Sequence, residues 1–376
     1  MEIKYISGYD GFLQIKRDWE HLYNTNRELT PYQSFEWYES LIKNKIYAGK
    51  LLFATLLKND TVILIAPLVK RGYLLFDEIS FLGRNTHADY LNFIYDKNLA
   101  FEEFDFFIAK LLHDHSRAVF YLRQINGVSR ISKYLQKVKI IRPVETGVCV
   151  QIPIYGSVDE YNACLGKSTK KNTRNLCNRV KADFENIEFK FIEKCRLDNN
   201  MISTLLNIYM DRSRYKYGYK GLTKKYSTFI NSILSTNSDI FLSICYINNK
   251  MVAYNLGLYS NSNKICVFMV TMDSEFKKYN IGNILIYKTI CYLIEKNHEG
   301  SNIIEFYDLT RGAELYKLKY GGILHYNYHF KISKNINTIK IYDLYVKISD
   351  MIMKSVLQRA NKFRKKLAQY ILPGHE

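Results

Sequence analysis

The chain lacks most of the patterns that mark metal-binding, disulfide-stapled, membrane-spanning or nucleic-acid-reading proteins. Its seven cysteines, at positions 149, 164, 177, 195, 245, 266 and 291, form no Cys-x-x-Cys pair. An odd, scattered set fits reduced thiols in a packed interior better than disulfides or zinc. The eight histidines supply no His-Glu-x-x-His or comparable ligand spacing, so no metal is expected. No apolar run approaches the roughly 20 residues that cross a bilayer. The first residues, Met1-Glu-Ile-Lys-Tyr5, lack the basic-then-apolar design of a secretory signal, which points to a cytoplasmic protein. Zinc-finger spacings and RNA-reading motifs are missing as well.

What is present is a chain of 376 residues, 47% hydrophobic and 24% charged, enough for a large core and, by length, for two domains. Lys and Arg number 54 against 36 Asp and Glu, a net charge of +18. Such an excess attracts anions: CoA, nucleotide sugars, lipid phosphates, an acidic membrane face or tRNA.

Residues 240–247, 251–259 and 264–272 alternate apolar and polar across the short breaks Asn248-Asn249-Lys250 and 260–263, the pattern of an antiparallel meander. The loop 273–280 leads into Ile281-Gly282-Asn283, where Leu285, Ile286, Ile290, Leu293 and Ile294 fall on a helical period; 303–308 reads as the next strand. A Gly-containing turn at a helix N-terminus presents backbone N–H groups and partial positive charge where a phosphate could sit. Strand-like runs at 51–57, 61–69 and 73–82, with a turn at Asn59-Asp60, form a second meander. Ahead of it, Phe12, Ile15, Trp19, Leu22 and Tyr23 share one helical face, and Thr30-Pro31-Tyr32-Gln33 has the spacing of a capping box opening a helix through Trp37 and Leu41. Residues 101–115 read as a helix, 119–123 as a strand, and 148–154 as the crossing into the second half.

Residues 160–181 read as one helix bearing Lys167, Lys170, Lys171, Arg174, Arg179 and Lys181. Either that face is merely solvated or it meets a phosphate, with Arg174 the preferred ligand because a guanidinium can grip two oxygens. In the tail, Ile341, Leu344, Ile348, Met351 and Ile352 make an apolar stripe followed by Arg359, Lys362, Arg364, Lys365 and Lys366. Such a helix could rest on an anionic membrane or dock on the protein's own body.

The segment Lys277-Lys-Tyr279-Asn280-Ile-Gly282 resembles the pyrophosphate-binding motif of the GNAT acyltransferase family, with Asn280 in place of the first glycine. The run Phe306-Tyr-Asp308-Leu-Thr-Arg311-Gly312-Ala-Glu314-Leu-Tyr316-Lys317-Leu-Lys-Tyr320-Gly321 resembles the ending of the CelD-like acetyltransferases, a GNAT branch linked to polysaccharide biosynthesis. It is also similar to the Lys-x-x-Phe-Gly ending of the Fem-type peptidyltransferases. Further likeness lies in Pro31-Tyr-Gln33-Ser34-Phe-Glu-Trp37, in Phe81-Leu-Gly83 with Asp89-Tyr90, and in Arg212, which matches an Arg common in CelD-like proteins. The resemblance implies a mixed α+β protein of tandem GNAT-like domains, each a mostly antiparallel sheet flanked by helices. Their limits would be 1–150 and 151–330, followed by a basic helical tail at 331–376.

The resemblance further implies acyl transfer from acyl-CoA, acetyl-CoA being the expected form, to an amine. An amino sugar, lipid-linked or nucleotide-linked, is the expected acceptor. Residues Lys277, Tyr279, Asn280, Gly282 and Asn283 would cradle the donor's phosphates, and backbone N–H groups near Met269, Val270 and Thr271 would polarise its carbonyl. Asp308 and Lys317 are candidate catalytic groups, and replacing either is expected to stop turnover without changing stability. Glu314, His87 and Asp89 stay open as bases and Tyr316 as an acid; His87 and Asp89 could equally anchor their loop, and Arg311 could equally clamp Asp308. Gln33, Trp37, Tyr90, Arg174, Arg212 and Arg311 would face the acceptor, although Trp37 also reads as core. Two rival functions remain: a Fem-type aminoacyl-tRNA-dependent peptidyltransferase, for which the usual long helical-hairpin arm has no clear counterpart, and a non-catalytic scaffold binding membrane or polyanion.

Overall fold

Two tight turns of the same kind set the strand registers. Asn59 and Asp60 (φ 49° and 60°) and Asn248 and Asn249 (φ 48° and 63°) all lie in left-handed backbone. Two consecutive positive-φ residues make the hairpin turn whose twist matches its strands, and Asn and Asp tolerate that conformation. The computed structural model describes every residue except 85, 87, 138–142, 218–222, 301–302 and 372–376, and only the backbone of 216–217 and 356–371.

The first half runs β1 (Glu2–Ile6), α1 (Gly8–Gln14), α2 (Lys16–Thr25), α3 (Phe35–Lys43), β2 (Lys50–Lys58), β3 (Thr61–Gly72), β4 (Asp77–Phe81), β5 (Ile94–Tyr95), α4 (Phe101–Asp114), β6 (Ala118–Asn126), α5 (Arg130–Lys137) and β7 (Pro143–Pro153). The second runs α6 (Val158–Cys164), α7 (Lys167–Asp183), β8 (Ile187–Glu193), α8 (Asn199–Tyr217), α9 (Lys224–Thr236), β9 (Ile240–Ile247), β10 (Lys250–Ser260), β11 (Lys264–Met272), α10 (Ile281–His298), β12 (Phe306–Arg311), α11 (Leu315–Lys319), β13 (Ile323–Ile332) and α12 (Ile336–Ile371).

All of the strands join one sheet in the order β1-β2-β3-β4-β6-β13-β7-β12-β11-β10-β9-β8, with β5 on β3. The halves repeat each other. In each, antiparallel neighbours end in one parallel pair, β4 with β6 and β11 with β12, joined through a helix, α4 or α10. Then they exchange their last strands: β7 pairs with β12, β13 pairs with β6, and the two pair with each other at the centre. This is the expected mixed α+β architecture, a mostly antiparallel sheet flanked by helices.

Aromatic rings build the core of the first half, where Phe12 stacks on Phe35 at 4.3 Å and Trp19 Nε1 donates to the Gln33 carbonyl at 2.8 Å. Trp37 sits edge-on to Phe229 of α9 and Phe268 of β11, at 5.4 and 5.5 Å, so it fastens one half to the other. Burying such a ring contributes roughly 3 kcal/mol.

Several sequence-based boundaries move, among them the strand read over 73–82, which begins only at Asp77 because residues 73–76 form the hairpin turn. The helix read over 12–23 breaks at Ile15, and the helix read over 160–181 breaks where Leu165 and Gly166 turn extended. A break of one or two residues barely disturbs the apolar spacing, so periodicity alone cannot reveal it. The strand after α10 lies at Phe306–Arg311, shifted from 303–308. Helix α12 rests on the first half through buried Tyr342, whose hydroxyl donates to Glu78 Oε2 at 2.9 Å and whose ring packs edge-on against Phe76. Among the described residues, no helix is long and apolar enough to cross a membrane.

Candidate active site

Strands β11 and β12 run side by side for only three residue pairs, ending at Cys266 with Asp308. Beyond that point β12 kinks through Thr310 (φ 54°), while β11 continues to Met272 with β10 as its partner. The Thr310 hydroxyl donates to the Val267 carbonyl at 3.2 Å and closes the foot of the fork. Above it the free edge of β11 opens on a cleft of about 400 Å³. Val270 and Thr271 form one wall, Glu314 and Tyr316 face them, Asn280, Gly282 and Asn283 lie at its base, and Tyr209 and Arg212 of α8 close it.

The base follows from the turn into α10. Residues Ser274–Tyr279 make a short 3₁₀ helix, begun by Asp273, whose Oδ1 accepts from the Glu275 amide at 3.0 Å. Asn280 then takes φ 52°, ψ 41°. Asn adopts left-handed backbone more readily than other side-chain-bearing residues, so the turn is made here without glycine. Helix α10 starts with neither a side-chain cap nor an acid in its first turn; the Asn283 amide donates to the Asn280 carbonyl at 3.0 Å, while no side chain or acid compensates the dipole at the Ile281 and Gly282 end. A Cβ at Gly282 would come no nearer than 3.9 Å to Met272 Sδ, so the protein itself does not fill that space. The Thr271 hydroxyl, buried in the wall, has no hydrogen-bond partner among the described residues. Lys277 and Arg212 both stack over the exposed Tyr215 ring, at 5.7 and 5.8 Å, adding positive charge near the base.

Glu314 and Tyr316 are held by the loop after β12. Lys317 is buried, and its ammonium donates to the carbonyls of Leu309, Arg311 and Gly312 at 2.9, 2.7 and 3.1 Å while meeting Glu314 Oε2 at 2.9 Å. Its protons are shared among these loop carbonyls and the Glu314 carboxylate. Gly312 (φ 100°) leaves room for the Glu314 carboxylate, which a side chain there would strike. Burial, aided by the Glu314 charge, pushes the Tyr316 phenol up to about 12, so it keeps its proton through the neutral range.

Asp308 lies beneath this site and is 1% exposed. Its carboxylate accepts from Tyr90 Oη at 2.7 Å, Gln151 Nε2 at 2.9 Å and the Thr310 amide at 2.8 Å. Burial pushes its pKa up, against the opposing pull of these bonds. It is not among the groups lining the cleft. Arg311 does not clamp Asp308; its Nε lies 3.0 Å from Asp89 Oδ1, tying the β12 loop to the first half.

Other expected residues serve the frame. Tyr90 is buried on Asp308. Gln33 accepts from the Thr30 amide at 2.9 Å and donates to the Tyr90 carbonyl at 2.8 Å. Trp37 is core, and Met269 is buried outside the cleft lining. Tyr279 points inward, its hydroxyl donating to Asp183 at 2.7 Å. Arg174 is exposed on α7 and is not among the residues lining the cleft. His87 lies outside the described residues. Three residues went unread in the sequence. Gln151 and Thr310 matter only through strand pairing, which no local pattern shows, whereas Tyr209 stands three residues before Arg212 on α8, a spacing that places both on one helical face. No group that could hold a metal ion occurs among the described residues.

Residues 167–318, which carry the fork, the turn and the β12 loop, match the family model described as the acetyltransferase (GNAT) domain. This segment is similar to a GNAT-type acetyltransferase domain. The whole chain shares its fold with the crystal structure of FemX (TM-score 0.59, 12% identity), covering 92% of this chain and 99% of that one. It is also similar to the C-terminal domain of a protein described as a lysylphosphatidylglycerol synthetase from Agrobacterium fabrum (TM-score 0.55, 10% identity, 89% and 96% covered). A conserved protein of unknown function from Bacteroides thetaiotaomicron gives a TM-score of 0.52 at 12% identity, with 88% and 100% covered. No curated protein matches in sequence.

Proposed function

We propose that the cleft between β11 and β12 binds acyl-CoA and that the protein is an N-acyltransferase. The observation that carries this reading is the meeting in one cleft of a free strand edge, an open helix N-terminus with cations nearby, and a carboxylate beside a phenol. Asn280, Gly282 and Asn283, with Arg212 and Lys277, would hold the diphosphate, and N–H groups of the β11 edge near Val270 and Thr271 would polarise the acyl carbonyl. Preorganised donors of that sort contribute about 3 kcal/mol to such reactions. The thioester supplies an activated acyl group. As the amine nitrogen forms its bond to the acyl carbon and the C–S bond breaks, Glu314 takes the amine proton and Tyr316 donates a hydrogen bond to the departing sulfur.

The proposed acceptor is an amino sugar of surface polysaccharide assembly, a class that rests on the CelD-like resemblance. A phosphate on that acceptor would find Arg71, Arg84 and Lys225 in a second cavity of about 270 Å³ between β3, β4 and the start of α9. A Fem-type reaction from aminoacyl-tRNA is the second reading, favoured by the end-to-end likeness to FemX and the +18 charge.

Thermal denaturation with CoA, acetyl-CoA, longer acyl-CoAs and tRNA separates the two. A ligand at a hundredfold excess over its Kd adds about 2.7 kcal/mol. Stabilisation by CoA and its thioesters is the expected result; silence there with a response to tRNA would replace the first reading by the second.

A further inference from the structure

We propose that α12 and the tip of the β3 to β4 hairpin together form a docking surface for an anionic lipid bilayer. At the tip, Leu74 is 92% exposed and Leu75 is 65% exposed. They are held there firmly. Tyr73 and Phe76 stack at 4.8 Å beneath them, the Tyr73 amide donates to the Phe76 carbonyl at 2.8 Å, and Arg117 Nη2 donates to the Leu74 carbonyl at 2.9 Å. Both rings also touch Tyr345 of α12, at 5.0 and 5.6 Å, so the tip and the helix are one construction. Two leucines fixed in water by surrounding contacts are a standing loss unless something apolar covers them.

Helix α12 extends the same surface. Thr338, Ile339 and Tyr342 face the body, whereas Ile341, Leu344, Ile348, Met351 and Ile352 are exposed on a contiguous stripe turned away from it. Lys340, Lys347 and Lys354, seven residues apart, run as a row along that stripe and are also exposed. Of the acids on the helix, Asp343 is engaged by Lys331, which leaves Asp350 exposed beyond the lysine row. The sequence then adds Arg359, Lys362, Arg364, Lys365 and Lys366. An apolar stripe beside a row of cations suits a helix lying in the plane of a headgroup layer. A second copy would set like-charged rows against each other on a chain already at +18, and a soluble polyanion has no use for the leucines.

Flotation of the full chain with phosphatidylcholine vesicles, with and without phosphatidylglycerol, tests the proposal. Binding should require phosphatidylglycerol. It should weaken on the order of tenfold in Leu74→Glu/Leu75→Glu and again in Ile348→Glu/Ile352→Glu, two pairs that share only the surface. All four positions are exposed, so an unchanged Tm confirms that the variants are folded. Equal binding to neutral and anionic vesicles, or variants that bind like the parent, would overturn the proposal. So would a dimer in sedimentation velocity that these substitutions dissolve, which would assign the face to a second copy.

Discussion

The two halves share one topology and differ at the start of a single helix. Helix α4 joins β4 to β6 as α10 joins β11 to β12. Yet α4 opens with Glu102 and Glu103, and Glu103 reaches back to the Ala100 amide at 2.9 Å, satisfying the helix end from within. Helix α10 has Gly282 and Asn283 at the matching positions and no such closure. The forks differ accordingly. Strand β4 stops at Phe81, one residue past its last pairing with β6, whereas β11 outruns β12 by six residues and leaves an edge bare. One scaffold, used twice, has a self-capped helix start on one side and an uncapped one on the other.

Removing the chemistry from the open half should have the largest effect. Glu314→Gln is expected to lower kcat by about 10²- to 10⁴-fold in acyl transfer to an amine, with CoA-induced stabilisation retained; undiminished turnover would remove Glu314 from the reaction. Making the open half resemble the closed one comes next. Asn283→Glu puts a carboxylate where α4 has Glu103 and should weaken CoA about tenfold or more while leaving Tm equal or higher. Titration by calorimetry reads the first quantity and a melt the second.

Lys317→Ala would strand three loop carbonyls and should cost about 1–3 kcal/mol in urea unfolding, against the sequence-based expectation of unchanged stability. Asp308→Asn acts through pH. Because burial raises the carboxyl's pKa in the folded state, the native protein binds that proton more tightly than the unfolded chain does. The contribution of Asp308 to stability is therefore greatest in acid and declines as pH rises through its folded pKa. The Asn variant should gain in Tm relative to the parent between acid and neutral pH; a gap that narrows would contradict a buried, raised carboxyl. Smallest of all, Glu103→Ala should cost about 1 kcal/mol by uncapping α4, with no CoA binding gained in the first half.

Most elements were legible because their causes are local. Alternation marked the strands, the left-handed pairs Asn59-Asp60 and Asn248-Asn249 marked the hairpins, and the Asn280 to Asn283 turn could be read as an open helix start. Roles were less legible. Asp308, Lys317, Tyr279, Gln33 and Tyr90 all belong to motif-bearing segments, yet each spends its polar atoms on the frame. A motif fixes which residues recur together, and only burial and partner geometry separate those that touch substrate from those that hold the others in place.

The sequence by itself determined most strands of the two meanders, the hairpin turns, the helix between β11 and β12 and the positive charge around it, since each depends on neighbours within a few residues. Tertiary structure alone decided the exchange of β7 and β13, the sealing of Asp308 under Tyr90 and Gln151, and the packing of Tyr73 and Phe76 on Tyr345 of a helix some 270 positions on in the chain. Those outcomes rest on contacts between distant segments, and whether a polar group is spent or free is settled only when the chain has folded around it.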